Sequence, residues 1–293
     1  MTTAAIYNDF KNQLKTIYED REAENISDWV FENVTGLKRW KRRENRNKEL
    51  NENHFKKIEK YLEELLKHKP VQYILNEAWF YKMKFFVDEN VLIPRPETEE
   101  LVEWIVSDFK KQTGSKPALP TGRQTNIIDI GTGSGCIPIA LKKELPNSNI
   151  TAVDVSEKAL AVANKNAVEL HSAIEFFKID FLKENEWQTL SQYDIIVSNP
   201  PYIPLKEKEL LAKNVTAYEP GVALFVENDD SFIFYKKIAE FSKTHLTKGG
   251  KIYVEVHEEY ARQVKIIFEN GGLLSEIKKD IYGKERMVKA MKQ

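Results

Sequence analysis

From residue 126 onward, the sequence alternates between short β-branched runs and amphipathic helical patterns. The strand-like runs cover residues 126–130, 149–153, 175–179, 194–198 and 251–256. Helical patterns separate them at 136–145, 156–170 and 231–246. Strands that alternate with helices form βαβ units, in which helices cover both faces of a mainly parallel sheet. Two further runs, at 273–281 and 285–291, predict a closing antiparallel pair. The sequence therefore predicts an α/β fold with a mainly parallel seven-stranded sheet.

The first part of the chain has a different pattern. Residues 1–70 are rich in Lys, Glu, Asn and Leu, and apolar side chains recur at helical spacing, as in Phe10, Leu14 and Tyr18. This spacing predicts a small bundle of three or four helices that ends before Pro70.

The change of pattern predicts the domain organisation. We expect a helical domain at 1–74, a β-hairpin linker at 75–95 and an α/β domain at 96–293. In the linker, residues 80–87 and 91–93 are the predicted strands and 88–90 the predicted turn. The polar stretch from 110 to 126 contains two glycines and two prolines and predicts a surface loop.

Charge and cysteine content narrow the class of protein. The formal net charge is -1, which argues against a dedicated DNA-binding protein. The one basic cluster, at 38–48, fits either a solvated helix face or a contact surface for an acidic or RNA-bound partner. The single cysteine, Cys136, excludes an intramolecular disulfide and favours a reducing compartment. The first residues do not resemble a signal peptide, and no apolar run is long enough to span a membrane, so we expect a cytoplasmic protein. We also expect no metal site.

A glycine-rich loop follows the first strand of the α/β region. Its residues are Gly131, Thr132, Gly133, Ser134 and Gly135. Glycines let the backbone turn sharply and approach a ligand closely, so the loop indicates a nucleotide-type cofactor. Asp154, at the end of the next strand, is placed to accept hydrogen bonds from ribose hydroxyls. The pair fits a dinucleotide or S-adenosylmethionine, and the G-x-G-x-G spacing favours the latter. Asp129 suits the methionine ammonium or the amides of the loop.

The third strand ends at a further pair of candidate cofactor residues. Asp180 would accept a hydrogen bond from the adenine exocyclic amine, and Phe181 would stack on the ring. Each residue taken singly also fits an ordinary role, as a polar strand end and a core aromatic.

The fourth strand delivers Asn199-Pro200-Pro201-Tyr202 into a loop. Asn199 offers a side-chain acceptor, and the two prolines restrict the backbone so that the Pro200 carbonyl points in one direction. A substrate NH2 group can donate one hydrogen to each acceptor, while Tyr202 offers a flat face to a planar group. The pattern resembles the active-site signature of methyltransferases that act on planar amide or amine nitrogens, and we expect Asn199 to lie next to the cofactor as well. A proline-stiffened turn is the alternative.

Several motifs together resemble one family, the PrmC (HemK) glutamine-N5 methyltransferases of peptide release factors. These motifs lie at residues 70–74, 91–99, 129–135, 199–203 and 218–220, with Ala223-Leu224 beyond them. The resemblance implies a class I S-adenosylmethionine-dependent methyltransferase of Rossmann-like fold, with a helical N-terminal domain that binds the release factor. It also implies the substrate, the glutamine of the Gly-Gly-Gln loop in class 1 release factors. We expect a monomer that binds no nucleic acid directly.

Other interpretations of the same residues stay open. Asn-Pro-Pro-Tyr also suits an N6-adenine or N2-guanine nucleic-acid methyltransferase, although such an enzyme usually has more basic surface. Arg95 and Glu97 are candidates for a rigid lip near the cofactor or, equally, for an interdomain brace. The segments 227–231 and 255–257 depart from the pattern of the family.

Overall fold

The computed structural model describes residues 2–113, 124–210, 213–226 and 230–293. Its α-helices are α1 (Thr3–Leu14), α2 (Asp20–Thr35), α3 (Arg39–Glu44), α4 (Glu52–Leu66), α5 (Val71–Leu75), α6 (Pro96–Thr113), α7 (Cys136–Glu144), α8 (Glu157–Glu169), α9 (Lys213–Tyr218), α10 (Gly221–Leu224), α11 (Ile233–His245) and α12 (Ala261–Asn270). Its strands are β1 (Ala78–Phe80), β2 (Met83–Phe85), β3 (Asn126–Ile130), β4 (Asn149–Asp154), β5 (Glu175–Lys178), β6 (Tyr193–Ser198), β7 (Ile203–Pro204), β8 (Phe225–Val226), β9 (Leu246–Glu255), β10 (Leu273–Lys279) and β11 (Glu285–Lys292). These elements form two compact units.

The first unit contains α1 to α5 together with α9. Thr2 caps α1 by accepting a hydrogen bond from the Ala5 amide, and α2 ends at Gly36 in the left-handed conformation. The predicted helical spacing is confirmed, because the apolar faces of α1, α2 and α4 pack together around Leu14, Phe31 and Leu65.

The basic cluster at 38–48 is partly built into this helical unit. The Arg42 side chain is buried, forms an ion pair with Asp28 and lies 4.4 Å from the centre of the Tyr7 ring. Arg39 also pairs with Asp28, at 3.2 Å. These two arginines therefore stabilise the packing of α3 on its neighbours, and only the remaining cluster residues are left to the two interpretations given above.

The second unit is built on a seven-stranded sheet with the order β10-β11-β9-β6-β3-β4-β5. The pairs from β9 to β5 are parallel, and β11 runs antiparallel to both of its neighbours. The prediction of a mainly parallel seven-stranded sheet with a closing antiparallel pair is confirmed. Apolar side chains fill both faces because helices cover each of them.

The predicted hairpin turn at 88–90 is wrong. The hairpin pairs β1 with β2, and its turn consists of Tyr81 and Lys82, which both have positive φ. A two-residue hairpin turn needs this backbone conformation, but the glycine or asparagine that usually announces it is missing from the sequence. Val87 and Val91 are buried by packing instead of strand pairing.

Two predictions reach into residues outside the described ranges. Helix α6 continues to Thr113, so the predicted loop begins after it, and positions 114–123 of that loop lie outside the described residues. Residues 227–229 of the departure at 227–231 also lie outside them. Among the described helices, none is both long enough and apolar enough to cross a membrane.

Candidate active site

The candidate residues lie along one edge of the sheet. Strands β3, β4, β5 and β6 are parallel neighbours, so their carboxyl ends meet at the same edge. In the register, Ile130 at the end of β3 lies beside Val153 of β4 and Ser198 of β6. The Ser198 hydroxyl also donates to the Ile130 carbonyl at 2.7 Å. The glycine loop and Asn199 therefore begin from adjacent strand ends, where open α/β sheets bind their ligands.

The glycine loop has a backbone conformation that side chains rarely adopt. Gly131, Gly133 and Gly135 have φ values of 74°, 54° and 78°. A Cβ atom on Gly135 would lie 3.1 Å from the Cβ of Ala163, so this glycine also permits α8 to approach the loop. The amides of Gly131 and Thr132 donate to the Val153 carbonyl at 2.9 and 3.0 Å, which ties the loop to β4.

Asp154 holds the glycine loop in place. One carboxylate oxygen accepts from the Gly133 amide and the other from the Ser156 amide, both at 2.9 Å. Burial raises the pKa of Asp154, and these amide hydrogen bonds offset part of the shift. Each oxygen keeps a second lone pair. The role of Asp154 in binding a ribose stays a prediction.

Asp129 lies beneath the loop and is fully buried. Within the described part of the chain, neither carboxylate oxygen has a hydrogen-bond partner, and the Thr132 hydroxyl has none either. Burial raises the pKa of Asp129 to about 7; the nearby Thr132 hydroxyl opposes this shift without completing a hydrogen bond, and the charge of Asp154 adds to it. A buried carboxylate without a partner is costly, so this position fits a cationic or hydrogen-donating ligand group.

Asp180 and Phe181 make intramolecular contacts that occupy much of their side chains. Asp180 accepts from the Leu182 amide at 3.2 Å and pairs with Lys183 at 3.1 Å. The Phe181 ring is 4% exposed and packs against Trp187 and Phe241, each with ring centres 5.2 Å away. This packing favours the core-aromatic alternative for Phe181, because little of its ring surface is left for stacking on adenine.

The Asn199-Pro200-Pro201-Tyr202 loop leaves β6 at the site edge. Pro200 is buried, and the other three residues are partly exposed. The Asn199 amide donates from Nδ2 to the Thr98 hydroxyl at 3.1 Å. Tyr202 packs against the ring of His257, with 5.9 Å between ring centres. Burial, followed by the charge of Glu255, raises the pKa of Tyr202 to about 12, so this phenol stays neutral near pH 7.

Three residues that the sequence analysis did not predict as site residues support the loops. Thr98 and Glu255 are buried behind Asn199, and the Thr98 hydroxyl donates to Glu255 at 2.6 Å. Asn166, on α8, donates to the carbonyls of Ser134 and Phe86 at 2.9 Å and accepts from the Phe86 amide at 2.7 Å. Thr98 lies within the 91–99 motif, which is the one sequence signal that could have identified it. Asn166 lies in an ordinary helical pattern without such a signal.

The segment before α6 is braced within the same unit. Arg95 forms an ion pair with Glu219 at 2.6 Å, and the second Glu219 oxygen accepts from the Ile93 amide at 3.3 Å. The Glu219 side chain is only 2% exposed, whereas Arg95 is 35% exposed. These contacts favour a bracing role for Arg95. A contact of Arg95 or Glu97 with a cofactor stays a prediction.

Comparisons with known families match both parts of the chain. The family described as methyltransferase small domain matches residues 115–221, and the family described as PrmC N-terminal domain matches residues 5–75.

Curated relatives match the chain over most of its length. A release factor glutamine methyltransferase of Flavobacterium psychrophilum is 41% identical over 281 residues, which are 96% of this chain and 95% of the relative. A protein of the same name from Bacteroides thetaiotaomicron is 42% identical over 236 residues, which are 80% of each chain. Among solved structures, a methyltransferase from Pyrococcus furiosus aligns with a TM-score of 0.50 and 18% identity, over 73% of this chain and 90% of that one. The sheet unit therefore has the class I methyltransferase fold.

Proposed function

Because this chain belongs to the family of release factor glutamine methyltransferases, we propose that it methylates the side-chain amide nitrogen of a glutamine in a peptide chain release factor. The substrate is the glutamine of the Gly-Gly-Gln loop of class 1 release factors, and the product carries the methyl group on N5. The observation that carries this proposal is the position of Asn199 at the strand end next to the glycine loop. A nitrogen held by Asn199 would lie beside a cofactor held by that loop.

The cofactor is S-adenosylmethionine, whose sulfonium supplies an activated methyl group. The unpartnered carboxylate of Asp129 fits its ammonium, since an opposite charge would satisfy both buried oxygens. The glycine backbone, with open space where Cβ atoms of Gly131 and Gly133 would stand, fits close approach of the cofactor. Asp154 would hold the ribose through its remaining lone pairs. Asp180 is the candidate contact to the adenine amine.

Asn199 and Pro200 orient the nitrogen that reacts. The Asn199 side-chain oxygen and the Pro200 carbonyl each accept one N–H of the substrate amide, and Pro201 keeps this backbone rigid. Tyr202 packs beside the planar amide. A bound cofactor would supply its methyl group to the nitrogen lone pair as its C–S bond breaks to leave a neutral thioether, and one N–H proton would leave to water. Acceptors on both N–H bonds stabilise the positive charge that develops on this nitrogen.

The remaining assignments concern partners and organisation. The helical domain, residues 1–74, binds the body of the release factor, the hairpin of 75–95 links the domains, and residues 96–293 carry the methyltransferase chemistry. The enzyme acts as a cytoplasmic monomer and needs no nucleic acid. Its relatives are named for release factors, which supports a protein substrate over an adenine or guanine base.

Mass spectrometry of recombinant release factor, incubated with the enzyme and S-adenosylmethionine, tests the function. We expect a gain of one methyl group on the glutamine of the Gly-Gly-Gln loop. Asn199→Ala should remove most of this product, while calorimetry still detects cofactor binding. Methylation of DNA or RNA in parallel reactions, with release factor unmodified, would overturn the proposal.

A further inference from the structure

Two buried polar side chains lie directly behind Asn199. Thr98, in the first turn of α6, is 3% exposed, and Glu255, the last residue of β9, is 4% exposed. Strands β6 and β9 are neighbours, with Ser198 opposite Val254, so Glu255 lies beside the start of the Asn199 loop. Buried side chains of this kind are retained only where hydrogen bonds satisfy them.

The hydrogen bonds between these side chains have a defined direction. A threonine hydroxyl has one proton, and Thr98 donates it to a Glu255 oxygen at 2.6 Å. The hydroxyl oxygen can then only accept, and it accepts from Nδ2 of Asn199 at 3.1 Å. The other end of the Asn199 amide is Oδ1, which accepts no hydrogen bond from any described residue.

We propose that Thr98 and Glu255 are positioning residues that set the polarity of the Asn199 amide, so that its oxygen faces the substrate nitrogen. This inference rests on the function proposed above. If the amide were reversed, its NH2 group would face the substrate NH2 group, and two donors would oppose each other. This chain of hydrogen bonds from Asn199 through Thr98 to Glu255, the relay, therefore selects a substrate that presents N–H groups to the oxygen of Asn199. It also places the negative charge of Glu255 at the far end of this hydrogen-bonded chain, with Thr98 and Asn199 between it and the nitrogen that becomes positive.

The relay works in this direction only while Glu255 is ionised. Burial raises the pKa of Glu255 to about 7; the Thr98 hydrogen bond lowers it, the charge of Glu97 raises it, and Arg286 and Arg95 lower it. The other titratable groups that interact with Glu255 are Tyr202, Tyr235 and Cys136, whose pKa values are all raised by burial, so they stay neutral near pH 7.

Protonation of Glu255 reverses what the relay can do. A protonated Glu255 carboxyl can donate its proton to the Thr98 oxygen. The Thr98 hydroxyl is then free to donate to the oxygen of Asn199, so the Asn199 amide can flip. The active form is the ionised one, so turnover should fall as the pH drops below about 7 and level off above it.

Substitutions at Thr98 test the hydroxyl. Thr98→Val keeps the shape and removes the hydrogen bonds, and kcat for release factor methylation should fall about ten- to a hundredfold, the range found when a hydrogen-bond partner of a metal ligand is removed. The KM for release factor and the Kd for S-adenosylmethionine should stay unchanged. Thr98→Ser restores the hydroxyl and should recover most of kcat. Thr125→Val is the matched control, because Thr125 is also a buried threonine but precedes β3, at the opposite edge of the sheet.

Glu255→Gln tests the charge separately. The glutamine oxygen can still accept from Thr98 but does not titrate. We expect the fall in kcat below pH 7 to disappear in this variant, while wild type and Thr125→Val retain it.

The outcomes separate the two proposals. The relay is overturned if Thr98→Val has the same kcat as the wild-type enzyme. It is also overturned if kcat of Glu255→Gln still falls below pH 7. In both cases the proposed function stands. Absence of release factor methylation by the wild-type enzyme overturns both. If Thr98→Val does not fold, as judged by its melting temperature and cofactor binding, the pH profile of Glu255→Gln decides.

Discussion

At the scale of single residues, the candidate site contains a carboxylate that destabilises the folded protein when no ligand is bound. Asp129 is fully buried, and no described side chain or amide satisfies its carboxylate. One unit of pKa shift corresponds to about 1.4 kcal/mol of differential interaction, so a pKa raised to about 7 represents a substantial penalty for the charged form. A cationic ligand group would relieve this penalty, so we expect Asp129 to contribute to ligand binding more than to folding.

Asp129→Asn should therefore have opposite effects on stability and binding. A raised folded-state pKa means that the folded protein binds more protons than the unfolded protein between about pH 4 and 7, so its stability falls as pH rises through that range. At pH 8 the variant lacks the buried charge, and we expect a higher melting temperature without cofactor. S-adenosylmethionine affinity should fall about a hundredfold or more, because breaking a buried ion pair costs about 3–5 kcal/mol.

Calorimetric binding and thermal melts at pH 6 and pH 8 check both effects. The stabilisation of the wild-type protein by cofactor should be larger at pH 8, where Asp129 is ionised without cofactor. Equal affinities in Asp129→Asn and wild type would show that this carboxylate does not bind the ammonium.

The sequence indicated residues that lie at strand ends much better than residues that act through tertiary contacts. Gly131, Asp154 and Asn199 stand out because each follows a β-branched run. Thr98 and Glu255 meet across 157 positions of sequence, and no local pattern reports such a distance. Phe181 shows the reverse problem, because an aromatic residue at a strand end has the same pattern whether its ring faces a ligand or the core.

At the scale of elements, the glycine loop is held by two neighbours, β4 and α8. Asp154 accepts from the Gly133 amide, the Val153 carbonyl accepts from the loop start, and Asn166 donates to the Ser134 carbonyl. Sequence periodicity predicted the strands and helices that carry these residues, because each element buries apolar side chains and this burial sets the spacing of its apolar residues. The hairpin turn was missed because Tyr81 and Lys82 adopt positive φ, against their own preference, where they connect the paired residues Phe80 and Met83.

Gly135→Ala should weaken both the loop and its packing on α8. The new methyl group would be strained at φ 78° and would lie 3.1 Å from the Cβ of Ala163. We expect the free energy of unfolding to fall by about 2–4 kcal/mol, since a residue forced into a sparsely populated conformation costs about 1–3 kcal/mol before any clash. Cofactor affinity should fall as well.

Gly272→Ala is the control for this substitution. Gly272 has a similar φ of 82°, but a Cβ there would meet no described atom within 4 Å. Chemical denaturation should show a smaller loss in the free energy of unfolding for this variant than for Gly135→Ala, and its cofactor affinity should be normal. Equal losses at the two positions would mean that backbone strain alone explains the effect and that contact with α8 contributes nothing.

At the scale of the whole molecule, the helical unit has a hydrophobic core of its own, separate from the two apolar clusters on the faces of the sheet. All the candidate cofactor residues belong to the sheet unit, while the helical unit has its own core around α1, α2 and α4. The sequence predicted this division because the first 70 residues have helical spacing throughout, whereas the later ones alternate. It could not predict that α9, far along the chain, groups with the helical unit, because that assignment depends on contacts distant in sequence.

Leu14→Ala separates the contributions of the two units. Leu14 is completely buried in the helical core, and a leucine-to-alanine change in such a site costs about 2–5 kcal/mol. Because no candidate cofactor residue lies in this unit, we expect unchanged S-adenosylmethionine affinity, with a raised KM for release factor. Ile128→Ala, in β3 beneath the glycine loop and equally buried, is the matched control and should lower cofactor affinity. Calorimetry with the cofactor and methylation assays with release factor measure both effects. If Leu14→Ala lowered cofactor affinity as strongly as Ile128→Ala, the helical unit would contribute to cofactor binding, and the expected independence of the cofactor site from this unit would be wrong.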